Sequence, residues 1–287
     1  MGGFFIQFSK MKVSIIGLGW LGLPLAKSLQ SKGFSVIGST TSLEKRDRIQ
    51  KLGITSVQFE MAPHPIGLGF APLFDVDILI ITIPPKSRQQ SGDFYLEQLK
   101  YLKSMVTNSK VKKIVFISST SIYPEDPRQK EYFESESLNL ENTGNKTQFK
   151  GEALFQNEKN YDLTIIRFGG LMGGNRIPGK YFAGKQNVIG HTRVNFIHIL
   201  DAIGIVEWVI LKGLWNETFN GVAPFHPFRK EIYERNAIEY GLDPPKSYSP
   251  GNSILDRLIS SQKIQDFGYQ FIKPNPLDFE YDLNERI

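Results

Sequence analysis

Short β-branched and apolar runs alternate along the chain with stretches of helical spacing. Val13 to Ile16 is such a run; it ends in glycines, and Leu21, Leu25 and Leu29 follow at helical spacing, predicting strand, tight turn and helix. Phe34 to Gly38 predicts a second strand, Ser42 to Leu52 a second helix and Ile54 to Phe59 a third strand. Val76 to Ile83 is nearly all apolar, the pattern of a parallel strand buried on both faces, and so predicts a central strand. Helical spacing returns over Tyr95 to Val106 and Phe149 to Phe155, with further strands at Lys113 to Ile117 and Leu163 to Arg167. Such alternation builds a parallel sheet, because right-handed crossovers lay helices on both of its faces. The predicted class is α/β, a doubly wound parallel sheet.

Beyond Gly169 the pattern changes. Glycine, proline and aromatics dominate Gly169 to Phe182, and irregular stretches surround helical patterns at Ile199 to Leu211 and Phe228 to Tyr240. A smaller C-terminal lobe follows from this, with the proline-punctuated stretch Pro244 to Pro276 over the surface as a lid or side wall. The expected division is residues 1–10 as an N-terminal extension, 11–170 with 195–212 as the sheet domain, and 171–194 with 213–287 as the smaller substrate lobe.

Composition narrows the chemistry. The 287 residues include no cysteine, which excludes disulfide scaffolds, thiolate metal sites and cysteine nucleophiles and fits a reducing compartment. No histidine and carboxylate cluster has metal-ligand spacing, so no metal is expected. The balance of 34 basic against 29 acidic residues is dispersed in pairs such as Lys45-Arg46 and Lys112-Lys113. That dispersal disfavours nucleic acid and suits a phosphate-bearing cofactor or substrate. No apolar run reaches the roughly 18 residues of a membrane span, and Met1 to Lys10 has neither the basic start nor the apolar core of a leader. Ile6 stands where an acylation signal needs Ser or Thr, and Met11 is the more natural start. A cytoplasmic protein without a membrane partner is expected.

Gly17-Leu-Gly-Trp-Leu-Gly22 is GxGxxG set between a strand and a helix, the context the dinucleotide motif requires. Gly17 permits the tight turn, Gly19 lets backbone approach a pyrophosphate, and Gly22 allows close packing of helix on sheet, with the anion at the helix start beside Trp20 and Leu21. The competing reading is that the glycines serve only a sharp turn. For NAD an acidic side chain should close the second strand, but Thr40 stands there. Thr41, Ser42, Lys45 and Arg46 follow and can bind a 2′-phosphate, which favours NADP and leaves NAD open. The same residues also read as a capping box, Thr41 to Glu44, with solvated lysine and arginine behind it.

Phe116-Ile-Ser-Ser-Thr-Ser-Ile-Tyr123, Arg167-Phe-Gly-Gly-Leu-Met-Gly173, Val194-Asn-Phe-Ile-His-Ile-Leu-Asp201, Phe219-Asn-Gly-Val and the Ser260 to Tyr269 segment together resemble the extended short-chain dehydrogenase/reductase family, also called the NAD-dependent epimerase/dehydratase family. The resemblance spans roughly residues 11 to 275. It implies a Rossmann fold, a nicotinamide dinucleotide beside Pro84, Lys86 and Ser118, a small-molecule substrate such as a nucleotide-sugar, and a homodimer as the frequent assembly. Thr120, Arg167 and Asn195 are candidates to face that substrate; the competing readings are a backbone-bonding hydroxyl, a buried ion pair and a tie to the second lobe, and Lys86 reads equally as a solvated residue after two strand-ending prolines. In that family a Ser or Thr holds the substrate oxygen, a Tyr transfers the proton and a Lys lowers the Tyr pKa. A phenol titrates near 10 and needs that cation to act near neutrality.

Ser119 matches the hydroxyl position. Aligning the family's Tyr-x-x-x-Lys-x-x-x-Glu helix on Glu152 puts Gly144 and Gln148 at the tyrosine and lysine places, and neither can do that work. Tyr123 is a substitute proton donor on one reading and a packing residue on the other. The chain thus resembles an atypical branch of the family. Two functions stay open: an NAD(P)-dependent oxidoreductase or carbonyl- or nucleotide-sugar-modifying enzyme, and a non-catalytic NAD(P)-binding sensor or scaffold.

Overall fold

Seven segments extend and pair edge to edge in the computed structural model, which describes residues 11–85, 91–125, 130–250 and 256–283. They are β1 (Lys12–Ile16), β2 (Ser35–Thr40), β3 (Thr55–Gln58), β4 (Ile78–Ile81), β5 (Lys113–Ser119), β6 (Asp162–Phe168) and β7 (Thr218–Gly221). Their order is β7-β6-β5-β4-β1-β2-β3, a parallel sheet with β4 in the middle, as its apolar run predicts. All four residues of β4 are buried. Ile15 pairs with Gly38 on one side and Ile80 on the other, so β1 lies where the strand order reverses. Ligands bind beyond the carboxyl ends of strands at such a switch point.

The longer helices are α1 (Gly22–Ser31), α2 (Leu43–Lys51), α3 (Gly92–Thr107), α4 (Lys146–Gln156), α5 (Ile199–Lys212) and α6 (Arg229–Tyr240). Among the described residues, none is long and apolar enough to cross a membrane.

The chain divides into two compact units. One runs to Ile117 and adds Thr147–Ile165 and Val209–Glu217; the other comprises Ser118–Lys146, Ile166–Trp208 and the chain from Thr218 on. In the first, α3 buries Tyr95, Leu99, Leu102 and Val106 at helical spacing in one cluster with Leu79, Ile81, Ile114 and Phe116. Phe116 stacks on Phe155 of α4 with centroids 5.1 Å apart. Each such side chain contributes roughly 1.5–3 kcal/mol by leaving water. The second unit has its own core of Val188, Val194, Phe196, Ile232, Tyr233 and Phe279, and Phe182 stacks on Tyr233 at 4.7 Å.

Two expectations change. Thr218–Gly221 is a strand although Asn and Gly are poor strand formers, and so the alternation does not reveal it. Pro244 to Pro276 is not only surface: Asp256, Ile259, Ser260, Ser261 and Ile264 are buried. The cause is pairing, since Leu258–Ile259 lies parallel to Glu131–Tyr132 and the Asp201 carboxylate accepts from the Tyr269 hydroxyl and from the Ile272 and Lys273 amides.

Candidate functional site

β1 runs directly into the glycine turn. Gly17 has φ +109°, a conformation that favours glycine, and its amide donates to Ser39 Oγ at 3.0 Å. Thr82 Oγ1 donates to the Gly17 carbonyl at 2.8 Å. A Cβ on Gly22 would lie 2.1 Å from the Gly17 carbonyl oxygen, so the fold itself requires hydrogen there. Around a Cβ on Gly19, by contrast, none of the described residues lies within 4 Å. Leu21 is the N-cap of α1 with no side-chain capping bond, and the first turn carries no acid, which leaves the positive end of the helix without a counter-charge from its own side chains.

A cleft of about 140 Å³ in the first unit borders that turn, and Gly17, Gly19, Thr40, Thr41 and Pro84 line it. The structure thus brings together five of the residues singled out in the sequence. Trp20, Leu21 and Gly22 continue the turn into α1. Ser42 Oγ accepts from the Lys45 amide at 3.3 Å and caps α2. Lys45 is exposed, and the Arg46 guanidinium lies on Asp47 with contacts of 2.7 and 2.9 Å. Lys86 falls outside the described residues.

Glu60, Met61, Thr82 and Gln98 also line the cleft and were not anticipated. The first three follow strand ends, where the rule for open α/β sheets could have found them. Gln98 is a polar residue inside the apolar stripe of α3. Its Nε2 donates to the Met61 carbonyl, and its Oε1 is buried without a hydrogen-bond partner among the described residues. Open space at Gly19, an uncapped helix start and an unsatisfied buried amide fit a nucleotide in this cleft.

The second unit has a larger pocket of about 580 Å³. Thr120 and Asn195 line it together with three arginines the sequence reading passed over, Arg193, Arg229 and Arg257. They come from separate loops and the start of α6, so no basic run betrays them. The Asp256 carboxylate accepts from the Arg193 amide at 3.0 Å and the Arg257 amide at 2.9 Å, which holds the two backbones together. Arg257 Nη1 donates to the Tyr123 carbonyl at 2.9 Å, and Glu125 stands 3.8 Å away. Burial pulls the Arg257 guanidinium below its usual range against the opposing charge of Glu125, and the neighbouring Arg229 charge adds a smaller downward push. Arg229 Nε and Thr192 Oγ1 are buried without hydrogen-bond partners among the described residues. Guanidiniums gathered this way attract anions. The Asn195 amide serves the fold, donating to the Arg257 carbonyl at 2.8 Å and accepting from the Ile259 amide at 3.0 Å.

Ser118 is buried, and Ser119 Oγ accepts from the Ser121 amide at 3.1 Å, capping the short turn Thr120–Ile122. Tyr123 is fully buried, stacked on Tyr132 at 5.4 Å, with the Arg167 guanidinium 5.2 Å over its ring. Burial raises its hydroxyl pKa against the opposing pull of Arg167. A Cβ on Gly144 would lie 2.3 Å from the Tyr123 carbonyl oxygen and 2.8 Å from that of Ser121, so no side chain fits there. Gln148 is buried on α4 in the first unit. Among the described residues, no group of three or more His, Asp and Glu could hold a metal ion.

No protein-family model matches the chain. It is 32% identical over 269 residues, 93% of its length, to Protein YeeZ of Escherichia coli (strain K12), of which the match covers 97%. Three solved structures share its fold. A short-chain dehydrogenase/reductase superfamily protein from Agrobacterium tumefaciens with bound NAD has a TM-score of 0.72 at 16% identity, covering 93% of this chain and 95% of that one. Human epimerase family protein SDR39U1 with NADPH scores 0.70 at 16%, covering 93% and 96%. UDP-N-acetylglucosamine 4-epimerase from Bacillus cereus scores 0.71 at 17%, covering 96% and 95%.

Proposed function

Because the chain belongs to the YeeZ family and has the fold of short-chain dehydrogenase/reductase and epimerase proteins, we propose that it binds NAD(P) and acts as an oxidoreductase or as a carbonyl- or nucleotide-sugar-modifying enzyme. The observation that carries this reading is Gly19, whose open backbone borders the cleft at the uncapped start of α1. The pyrophosphate would lie over that helix start. NADP is favoured over NAD because Thr40 and Thr41 present no carboxylate to repel a 2′-phosphate. Arg46 is able to leave Asp47, since an exposed ion pair is worth only about 0–1 kcal/mol.

The arginine pocket suits an anionic small molecule, a nucleotide-linked sugar among them. A bound nicotinamide would supply hydride transfer. Ser119 Oγ accepts one bond in the fold, so its proton is available to a substrate oxygen. With Gly144 closed, proton transfer falls to water or to a group other than the family's tyrosine. A cysteine-free chain working as a homodimer in the cytoplasm, without metal or nucleic acid, completes the reading.

The closed Gly144 position favours a second reading, a non-catalytic NAD(P) sensor or scaffold. Calorimetric titration of nucleotide-stripped protein with NADPH and NADH separates these. Micromolar NADPH binding, weaker for NADH and reversed in Thr41→Asp or Thr40→Asp, is expected. Turnover with a carbonyl and nucleotide-sugar panel, lost in Ser119→Ala, supports the enzyme. Binding without turnover supports the sensor, and binding of neither nucleotide removes both.

A further inference from the structure

We propose that Gln98 reads the base of the bound dinucleotide, its Oε1 accepting a hydrogen bond from the exocyclic amino group of adenine. The inference rests on the cofactor reading above and adds a residue that sets specificity within it.

Gln98 is 6% exposed, on a helix face otherwise given to Tyr95, Leu99, Leu102 and Val106. A primary amide in such surroundings costs roughly 1–3 kcal/mol for each end left without a partner. One end is satisfied. The Met61 carbonyl can only accept, so Nε2 must face it, and this bond fixes the orientation of the amide. The other end, Oε1, has no donor among the described residues. A leucine at this position would fill the stripe without that penalty, so the amide needs a reason outside the core.

The reason lies in the cleft that Gln98 lines. Phe59, Met61 and Ile83 line it as well, apolar surfaces suited to the faces of a flat ring, and the Tyr95 hydroxyl donates to the Ile83 carbonyl at 3.2 Å and fixes that wall. About 140 Å³ holds one heterocyclic base and not a whole dinucleotide. An acceptor among apolar walls calls for a ring with an amino donor on its edge, which adenine has and hypoxanthine lacks. Thr40 and Thr41 line the same cleft, which puts the ribose at the end of β2 and the base toward Met61 and Gln98.

The test is calorimetric titration of wild type and Gln98→Met with NADPH and with reduced nicotinamide hypoxanthine dinucleotide phosphate, in which the amino group is replaced by a carbonyl. Wild type should bind NADPH about tenfold more tightly, the effect of one hydrogen bond. In Gln98→Met the two affinities should converge, with the melting temperature within a few degrees of wild type because methionine nearly conserves volume. Gln98→Asn, which draws the amide back by one methylene, is the second variant should Gln98→Met fail to fold. Equal binding of the two nucleotides by wild type, or a preference that survives in both variants or disappears only in Glu60→Gln, would overturn the proposal while leaving the cofactor reading intact. Binding of neither nucleotide by wild type would instead end the cofactor reading, and this proposal with it.

Discussion

Arg167 Nη1 donates to the Tyr123 hydroxyl at 2.8 Å, and that hydroxyl donates to Asn220 Oδ1 at 2.9 Å, all three side chains being buried. Asn220 passes the chain on, its Nδ2 donating to the Ser260 carbonyl at 3.0 Å and its amide to Glu134 Oε1 at 2.6 Å. Tyr123→Phe removes one acceptor from Arg167 and the donor from Asn220 Oδ1. It should cost about 1–3 kcal/mol in urea unfolding and leave NADPH affinity unchanged. Wild-type stability combined with lost turnover would make Tyr123 the proton-transfer group instead.

At Gly144, where the resemblance would place the family's tyrosine, the surrounding backbone leaves no room for a side chain. The Gly144 amide donates to the Ile122 carbonyl at 2.9 Å, which draws its backbone against that of Ser121 to Tyr123. Gly144→Ala should therefore destabilise the protein by about 1–3 kcal/mol, and Gly144→Tyr with Gln148→Lys should fail to create an epimerase. Thermal melts and an NADPH consumption assay check both. A stable double variant that turns over nucleotide-sugar would refute the steric account.

The sheet was legible because β1, β4, β5 and β6 hold apolar runs, because the more polar β2 and β3 alternate with helical patterns, and because GxGxxG announces the turn after β1. β7 was not, since Thr-Phe-Asn-Gly owes its strand state to neighbours distant in sequence. The same holds for the sites. Gly17, Gly19, Thr40 and Thr41 are linked by the fixed spacing of the dinucleotide motif and were found, whereas Arg193, Arg229 and Arg257 are assembled by tertiary folding and no spacing rule links them. Gln98 carried a faint signal, a lone amide in a leucine stripe, whose meaning needs the Met61 contact to appear.

Asp201 shows how the C-terminal segment is held. Its Oδ1 accepts from the Tyr269 hydroxyl at 2.9 Å and the Ile272 amide at 2.7 Å, and its Oδ2 from the Lys273 amide at 2.9 Å. Asp201→Asn puts an NH₂ against one of these donors and weakens the rest. A loss of about 1–3 kcal/mol is expected, with faster limited proteolysis after Tyr269. Unchanged proteolysis would mean that packing alone holds the segment.

Tyr161 sets an alkaline limit. Burial pushes its hydroxyl up to about 12, and that hydroxyl donates to the Phe155 carbonyl at 3.0 Å. Because the folded value lies above the unfolded one near 10, the unfolded chain loses the proton first as pH rises. The contribution is complete below pH 10 and disappears as pH climbs from 10 to about 12, with a slope approaching about 1.4 kcal/mol per pH unit for this one group. Tyr161→Phe should flatten the decline in urea melts across that window; an identical slope would assign the alkaline sensitivity to other buried tyrosines.

The glycine turn offers the sharpest separation of architecture from binding, because two of its glycines face opposite constraints. A Cβ at Gly22 meets the Gly17 carbonyl oxygen at 2.1 Å, backbone that cannot swing aside, so Gly22→Ala should destabilise the fold by about 1–3 kcal/mol or more. A Cβ at Gly19 meets none of the described residues, and alanine there should leave the melting temperature equal or slightly higher through the reduced freedom of the unfolded chain, about 0.4–1 kcal/mol. Only a ligand laid against the backbone would notice that methyl. Gly19→Ala should therefore weaken NADPH binding about tenfold or more in a protein as stable as wild type. Calorimetry and melting on the same samples read both quantities, and undiminished NADPH affinity in Gly19→Ala would place the pyrophosphate somewhere other than this turn.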